Sequence, residues 1–141
     1  MHHAFAHLDQ RTVSMNVRVR YTATPDLTFE FYGEPFASSG IYSDVREVSA
    51  TPGAEDYEDR FQPYTPPAGT ALSFSYRQLR TNAVLRWEYL PGSTLFLVWA
   101  HGRQGYESDA AREPWHQDLG GLWDLDPDDT FLLKVSYWLN R

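Results

Sequence analysis

The residues of this chain that could do chemistry are mainly carboxylates, and most of them lie in two polar stretches. Glycoside hydrolysis needs two carboxyl groups about 5–10 Å apart across a cleft. The candidates are Glu55, Asp56, Glu58, Asp59, Glu107, Asp109 and Glu113. No motif selects a pair among them, and no GxSxG, phosphate-loop or Cys/His pattern occurs. We therefore expect a protein that is not an enzyme.

Metal binding is the second chemistry to consider. The segment WDLDPDDT brings together four aspartates, Asp124, Asp126, Asp128 and Asp129. A helix–loop–helix calcium site has a glycine at position 6 and a glutamate at position 12 of its loop, and neither is present. The histidines show no metal-ligand spacing; they are His2, His3, His7, His101 and His116. We interpret the aspartates as a solvated acidic turn and predict no metal and no other cofactor.

Composition narrows the class of protein. The chain has 141 residues, a formal charge of -7, no cysteine and 16% aromatic residues. The negative charge disfavours nucleic-acid binding, and the aromatic content suits a sheet-rich protein, a membrane interface or a sugar-binding face. The N-terminal MHHAFAHLDQRT lacks the pattern of a secretory signal.

Alternation of apolar and polar residues predicts β-strands along most of the chain. Residues 12–21 and 27–32 alternate with period two around a Thr24-Pro25-Asp26 turn. Pairing them places Val19 opposite Phe29 and Arg18 opposite Glu30. Further strands are predicted at 73–90 and 130–139, with a short one at 41–49. Long loops are predicted at 33–72 and 103–129.

The segment 82–102 predicts a long hairpin around Leu90-Pro91-Gly92-Ser93. Each arm is about as long as a membrane-crossing β-strand, roughly 9–11 residues. Its expected register sets three pairs on one face, Tyr89 with Thr94, Trp87 with Phe96 and Leu85 with Val98. Tight turns at one end of the sheet and long loops at the other are typical of outer-membrane barrels, although soluble sandwiches can share this arrangement.

The alternation also predicts which residues would carry function. Polar side chains expected to line a barrel lumen are Arg18, Arg20, Glu30, Arg86, Glu88 and Lys134. Aromatic side chains expected at a membrane interface are Trp87, Tyr89, Tyr137 and Trp138. Phe29, Leu85, Phe96 and Val135 would contact lipid. The alternative is a solvated polar face and a packed apolar face of a soluble sheet, and Trp115 and Trp123 could stack on sugar rings.

Two blocks resemble a known family, PDL…YGEPF…SGxYSD and RWEYxPGSxLFLVW. With LRTN before the second block and DTFLLKVSYWL near the end, the chain resembles, over about residues 5–139, the C-terminal part of the bacterial family called domain of unknown function 5916. The resemblance implies a large outer-membrane β-barrel that follows a carbohydrate-binding family nine-like module. That module and most barrel strands are missing here, and the chain ends Leu139-Asn140-Arg141 rather than on an aromatic residue.

We therefore expect an all-β chain, an antiparallel meander of about five long strands that forms the C-terminal part of an outer-membrane-type barrel. Residues 1–141 would be a single, incomplete β domain. Its role would be passage or anchoring linked to carbohydrate uptake, and its partners would be lipid, further β-strands or a glycan. The alternative is a periplasmic accessory or binding subunit, a soluble β-sandwich or open barrel that docks onto a larger complex.

Overall fold

A computed structural model describes residues 3–111 and 114–139 as one antiparallel sheet of seven strands with a short helix. His2, Glu113, Asn140 and Arg141 lie outside the described residues. The elements are β1 Ala4–Ser14, β2 Val17–Thr24, β3 Leu27–Val48, β4 Phe61–Pro63, β5 Ser73–Leu90, β6 Ser93–Ser108, β7 Pro127–Ser136 and α1 Trp115–Gly120. The all-β, antiparallel prediction is confirmed.

The strands form a single path in the order β1–β3–β5–β6–β7, with β2 and β4 also pairing with β3. The path does not close on itself. Contacts group the described residues into two compact units. The first unit draws on 1–12, 38–75 and 106–113, and the second on 13–37, 76–105 and 114–141.

β3 is far longer than the sequence indicated, because Gly33 and Pro35 do not end it. Pro35 lacks an N–H, so only its carbonyl can bond across the pair, and it accepts from Met15 N at 3.1 Å. Met15 lies between β1 and β2, so the missing hydrogen bond coincides with the interruption of the partner strand. The predicted loop at 33–72 is therefore wrong at its start: the connection spans 49–72 and contains β4 and a 3₁₀ turn, Glu58–Arg60.

The second predicted loop, 103–129, is also too long. β6 continues to Ser108 and β7 begins at Pro127, so the connection spans 109–126. It contains α1 and a 3₁₀ turn, Gly121–Asp124. Among the residues described, no helix is long and apolar enough to cross a membrane.

The first hairpin pairs two residues away from the expected register. Val19 lies opposite Phe31 and Arg20 opposite Glu30, so the predicted pairs Val19–Phe29 and Arg18–Glu30 are wrong. The turn itself is Pro25-Asp26, and the register shifts between Thr22 and Thr24. A shift of two residues keeps every side chain on its face, so the predicted alternation is unaffected.

The second hairpin turns at Pro91-Gly92 as predicted, but further along it the side chains of Gln78 and Gln104 lie on the same face. Gln78 bonds Gln104 at 3.2 Å, where the turn-derived register would place residue 105. Phe96 then lies opposite Lys134, whereas Val135 lies opposite Leu95. Because Phe96 shares the face of Lys134, it cannot share the face of the adjacent Val135, and the expectation that the two lie on one face is wrong.

Very little of the sheet is buried by the chain itself. In the part of the chain that the structure describes, the buried hydrophobic residues are Ala37, Leu79 and Leu122. A soluble domain of this length normally buries about two thirds of the surface that its unfolded chain exposes. The sheet therefore has two faces that both remain largely accessible.

Candidate functional site

The second unit presents a polar face on which all six predicted polar candidates lie. Arg20 pairs with Glu30 across β2 and β3. A Cβ at Gly33 would lie 3.7 Å from the Thr81 side chain, so positions 33 and 81 point to the same face. Side chains alternate along a strand, so the even-numbered residues of β5 lie on the opposite face, which is the polar one. The bond between the Gln78 and Gln104 side chains shows that the even-numbered residues of β6 share this polar face. Phe96 is one of them, and Lys134 lies opposite it on β7, so Lys134 shares the face as well.

Four of the six charged candidates on this polar face are paired with one another. Arg20 Nε lies 2.8 Å from Glu30 Oε1, and Arg86 Nη2 lies 3.2 Å from Glu88 Oε2. Arg18 lies over the ring of Tyr32, 5.9 Å from its centroid. Such pairs between exposed side chains contribute little to stability, so the face is a solvated surface rather than a stabilising network.

A polar cleft of about 350 Å³ lies over Gly102. The residue at this position has no side chain, and its absence leaves space between β5 and the start of β7. The lining side chains include Gln78, Arg80, Gln104, Asp126 and Asp128. Arg103 also lines the cleft, which therefore offers two guanidinium groups, two amides and two carboxylates to a polar solute. Two of the aspartates from WDLDPDDT belong to it.

The opposite face of the second unit is apolar and exposed. Its outward large side chains are Val19, Tyr21, Phe29, Trp87, Leu97, Phe131, Leu133 and Val135. The pairs Leu95–Val135, Leu97–Leu133 and Trp99–Phe131 follow one another along β6 and β7. The Trp99 and Phe131 rings stack with centroids 6.3 Å apart.

The four predicted interfacial aromatics gather around the Pro91-Gly92 turn. The Trp87 and Tyr89 rings lie 6.0 Å apart, and the Tyr89 hydroxyl donates to the Ser136 carbonyl at 3.2 Å. Trp138 N donates to Ser93 Oγ at 3.0 Å, which places Trp138 against the turn. Tyr137, next to it, is exposed.

A hydrogen-bonded chain of side chains ends the apolar face. Trp99 Nε1 and His101 Nδ1 both donate to Asp129 Oδ1, at 2.7 and 2.8 Å. These bonds lower the pKa of Asp129, with the bond from His101 the larger cause. Arg103 Nε donates to His101 Nε2 at 3.1 Å, and because an arginine can only donate, this imidazole nitrogen accepts.

This arrangement brings an aspartate and a histidine together as hydrolases do, but the second ring nitrogen of the histidine already accepts a hydrogen bond from Arg103. His101 Nε2 cannot take a proton from a nucleophile while it accepts from Arg103. Arg103 Nη1 also donates to the carbonyls of Trp123 and Leu125, at 2.6 and 2.9 Å. The cluster therefore fastens the connection before β7 to the sheet.

The first unit contains an aromatic cleft that the sequence did not indicate. It has a volume of about 340 Å³. Its lining residues are Phe5, Ala6, His7, Asp44, Arg46, Tyr57, Glu58 and Phe61. Only Glu58 was singled out among the carboxylates and His7 among the histidines. The signal that could have found it is the aromatic–acidic string YEDRF at 57–61.

Other residues highlighted by the sequence have local structural contacts. Asp109 Oδ1 accepts from Leu72 N at 2.9 Å, and Glu58 bonds Arg46. Trp115 packs edge-on against His116, and Trp123 lies under Arg103. Among the described residues, no three His, Asp or Glu side chains are grouped so that they could hold a metal ion.

Comparisons with protein-family models, curated proteins and solved structures find no match to this chain. The resemblance noted in the sequence stays a prediction.

Proposed function

We propose that this chain is a non-enzymatic segment of a bacterial outer-membrane β-barrel, with a role in passage or anchoring linked to carbohydrate uptake. The proposal rests on one observation: the second unit has a polar face and an exposed apolar face. An apolar face of this kind on a soluble protein marks an interaction surface or an aggregation hazard. A bilayer would cover it without any further protein core.

The lengths of the strands support this placement. The membrane-crossing segments would be 17–24, 27–36, 82–90, 93–100 and 130–136. Two of them have the roughly 9–11 residues that a tilted strand needs, and the other three are one or two residues shorter. Asp129 and His101 would lie just beyond them. Trp87, Tyr89, Tyr137 and Trp138 would form the aromatic girdle at the turn end, which would be the periplasmic side.

The open edges show what kind of partner would complete a barrel. β1 and β2 form one edge, β7 forms the other, and along the antiparallel path β1–β3–β5–β6–β7 these two edges run in the same direction. An all-antiparallel closure therefore needs an odd number of additional strands. A ring of copies of this sheet would bring parallel edges together, so we propose that the strands come from a different polypeptide segment.

The additional strands number at least 3, because the smallest outer-membrane barrels have about 8 strands in all. Open edges in lipid leave backbone groups unsatisfied at a cost of several kcal/mol each. The polar face would line the interior, where the cleft over Gly102 offers contacts to a passing polar solute. The paired charges Arg20–Glu30 and Arg86–Glu88 would leave that interior nearly neutral at these positions.

Size-exclusion chromatography with light scattering, on the purified chain in buffer without detergent, tests the proposal. We expect large aggregates that disperse when detergent or complementary strands are supplied, because the apolar face has no cover in water. A compact, monodisperse species with a β-type circular dichroism spectrum would contradict the barrel and favour the soluble periplasmic accessory subunit.

A further inference from the structure

The aromatic cleft of the first unit, lined by the eight residues named above, combines an apolar wall with a polar wall. On the apolar wall, the Phe5 and Phe61 rings meet edge-to-face with centroids 5.7 Å apart. The Tyr57 and Phe61 rings are tilted with centroids 5.2 Å apart. Tyr57 and Phe5 are exposed, so ring surface remains free for a ligand.

The polar wall is built around one guanidinium. Arg46 Nε donates to Asp44 Oδ1 at 2.9 Å, and Arg46 Nη1 donates to Glu58 Oε2 at 2.6 Å. The two carboxylates raise the pKa of Arg46, with the bond to Asp44 the larger cause, so the guanidinium stays charged in the cleft. Each carboxylate keeps a second oxygen and the guanidinium keeps further N–H groups, so both donors and acceptors remain available.

The backbone holds these groups in place before any ligand arrives. Asp44 has φ of 50°, a left-handed conformation that is uncommon for residues other than glycine and that concentrates at functional sites. Arg60 donates to the carbonyls of Ala54 and Glu55, at 2.8 and 3.2 Å. Ser49 Oγ donates to Asp59 O at 2.6 Å. A loop fixed in this way loses little conformational entropy on binding.

The charges of the polar wall disfavour an anion, because the carboxylates of Asp44 and Glu58 outnumber the single guanidinium of Arg46. A cation would have to compete with Arg46 for the carboxylate oxygens that already bond it. A neutral ring with hydroxyl groups fits both walls, because its C–H face can lie on the aromatic rings while each hydroxyl both donates to a carboxylate and accepts from the guanidinium.

We propose that the aromatic cleft binds a neutral saccharide ring, stacked on Tyr57 and hydrogen-bonded to Arg46, Asp44 and Glu58. The inference extends the carbohydrate-related part of the proposed function. It does not require the second unit to lie in a membrane, so the two proposals can fail separately.

Saturation-transfer difference NMR with maltotriose and cellotriose tests the cleft. The full chain would be studied in a polyoxyethylene detergent, which contains no sugar, with choline chloride as the charged probe. We expect transfer to the ring protons of at least one trisaccharide and none to choline. Tyr57→Ala should weaken binding at least about tenfold, the effect of losing roughly 1.4 kcal/mol. Tyr57→Phe, which keeps the ring, should retain most of it.

Tyr106→Ala is the matched control, because Tyr106 is as exposed as Tyr57, at 68% and 66%, lies in the same unit and does not line the aromatic cleft. It should bind the sugar like the unchanged chain. Absence of transfer to both trisaccharides would overturn the proposal. Transfer that Tyr57→Ala leaves intact, or choline binding that depends on Tyr57, would overturn it as well. Unchanged circular dichroism of each variant shows that the fold is retained.

Discussion

The two units of this chain hold their structure by different means. In the second unit, backbone pairing defines the sheet, and large apolar side chains such as Phe131 and Leu133 are left exposed. In the first unit, the connection 49–60 is held by bonds from Arg60 and Ser49 to backbone carbonyls. The second unit leaves an apolar surface to be covered from outside, and the first fixes this connection by side-chain-to-backbone bonds.

The difference separates a surface that depends on its surroundings from a site that does not. An exposed apolar face is favourable only where something removes it from water, at roughly 25 cal/mol for each Å² covered. A loop held by side-chain-to-backbone bonds keeps its geometry in water or detergent alike. The effect of a substitution on the sheet should therefore depend on whether lipid or water surrounds it. The effect of a substitution in the loop should appear in ligand binding.

The largest effect should come from charge on the apolar face. Leu133→Arg should destabilise the membrane-inserted protein by about 2–4 kcal/mol if this face meets lipid near the midplane. Leu132→Arg is the matched control, because the two residues are adjacent, similarly exposed at 56% and 64%, and lie on opposite faces of β7. Urea titration in lipid vesicles, with the complementary strands supplied, measures both.

In an aqueous setting this contrast would disappear. An exposed leucine replaced by arginine on a solvated surface changes stability by less than about 0.5 kcal/mol. Equal and small effects at 132 and 133 would therefore show that neither face contacts lipid. A larger effect at Leu132 would mean that the faces are assigned the wrong way round.

The sequence predicts the sheet well because alternation is a local property. Strand β5 and both tight turns are where the pattern placed them, and all six polar candidates lie on one face. Strand register is not a local property, and the alternation pattern predicted it wrongly in two places. The first hairpin turns at Pro25-Asp26 with Thr24 opposite Leu27, and an irregularity between Thr22 and Thr24 changes that register by one residue, which leaves the pairs two residues from the predicted ones. The pairing of β6 with β7 sets Phe96 opposite Lys134, on the face away from Val135.

The first unit was harder to predict for the same reason. Its aromatic cleft joins β1, the end of β3 and the 57–61 turn, which are separated by tens of residues in the sequence. No periodicity links Phe5 to Tyr57 or Arg46 to Glu58. The sequence also did not predict that β3 continues past Pro35. The proline is accommodated by the gap between β1 and β2, which lies elsewhere in the sequence.

The second largest loss of stability should come from a side chain placed at a glycine of a tight turn. Gly92 has φ of 77°, and a Cβ there would lie 3.2 Å from Trp138 Cβ. Gly92→Ala should therefore destabilise the chain by about 1–2 kcal/mol, the cost of a left-handed conformation for a residue with a side chain. Gly53→Ala in the first unit is the control, since a Cβ there meets nothing within 4 Å. Equal midpoints in denaturant titrations of the two variants would contradict this account of the turn.

A smaller effect should appear in the pH dependence of the second unit. The bonds from His101 and Trp99 lower the pKa of Asp129, so the folded state favours the ionised carboxylate. That contribution is fully present above the usual aspartate pKa of about 3.9 and is lost as the pH falls through the lower folded pKa. Asp129→Asn should therefore show a flatter loss of stability below about pH 4. Coincident acid-unfolding curves for the variant and the parent would contradict it.

The smallest effect should separate the ion pairs of the two units. Arg20 and Glu30 are both exposed and bonded at 2.8 Å, so a double-mutant cycle with Arg20→Met and Glu30→Gln should give a coupling of about 0.2–1 kcal/mol. Arg46 is more buried and bonds two carboxylates, so the cycle with Arg46→Met and Glu58→Gln should give a larger coupling. If the coupling energy of Arg20–Glu30 equals or exceeds that of Arg46–Glu58, the polar face of the sheet is shielded from water. The ion pairs of the two units would then differ less than the exposure of their arginines indicates.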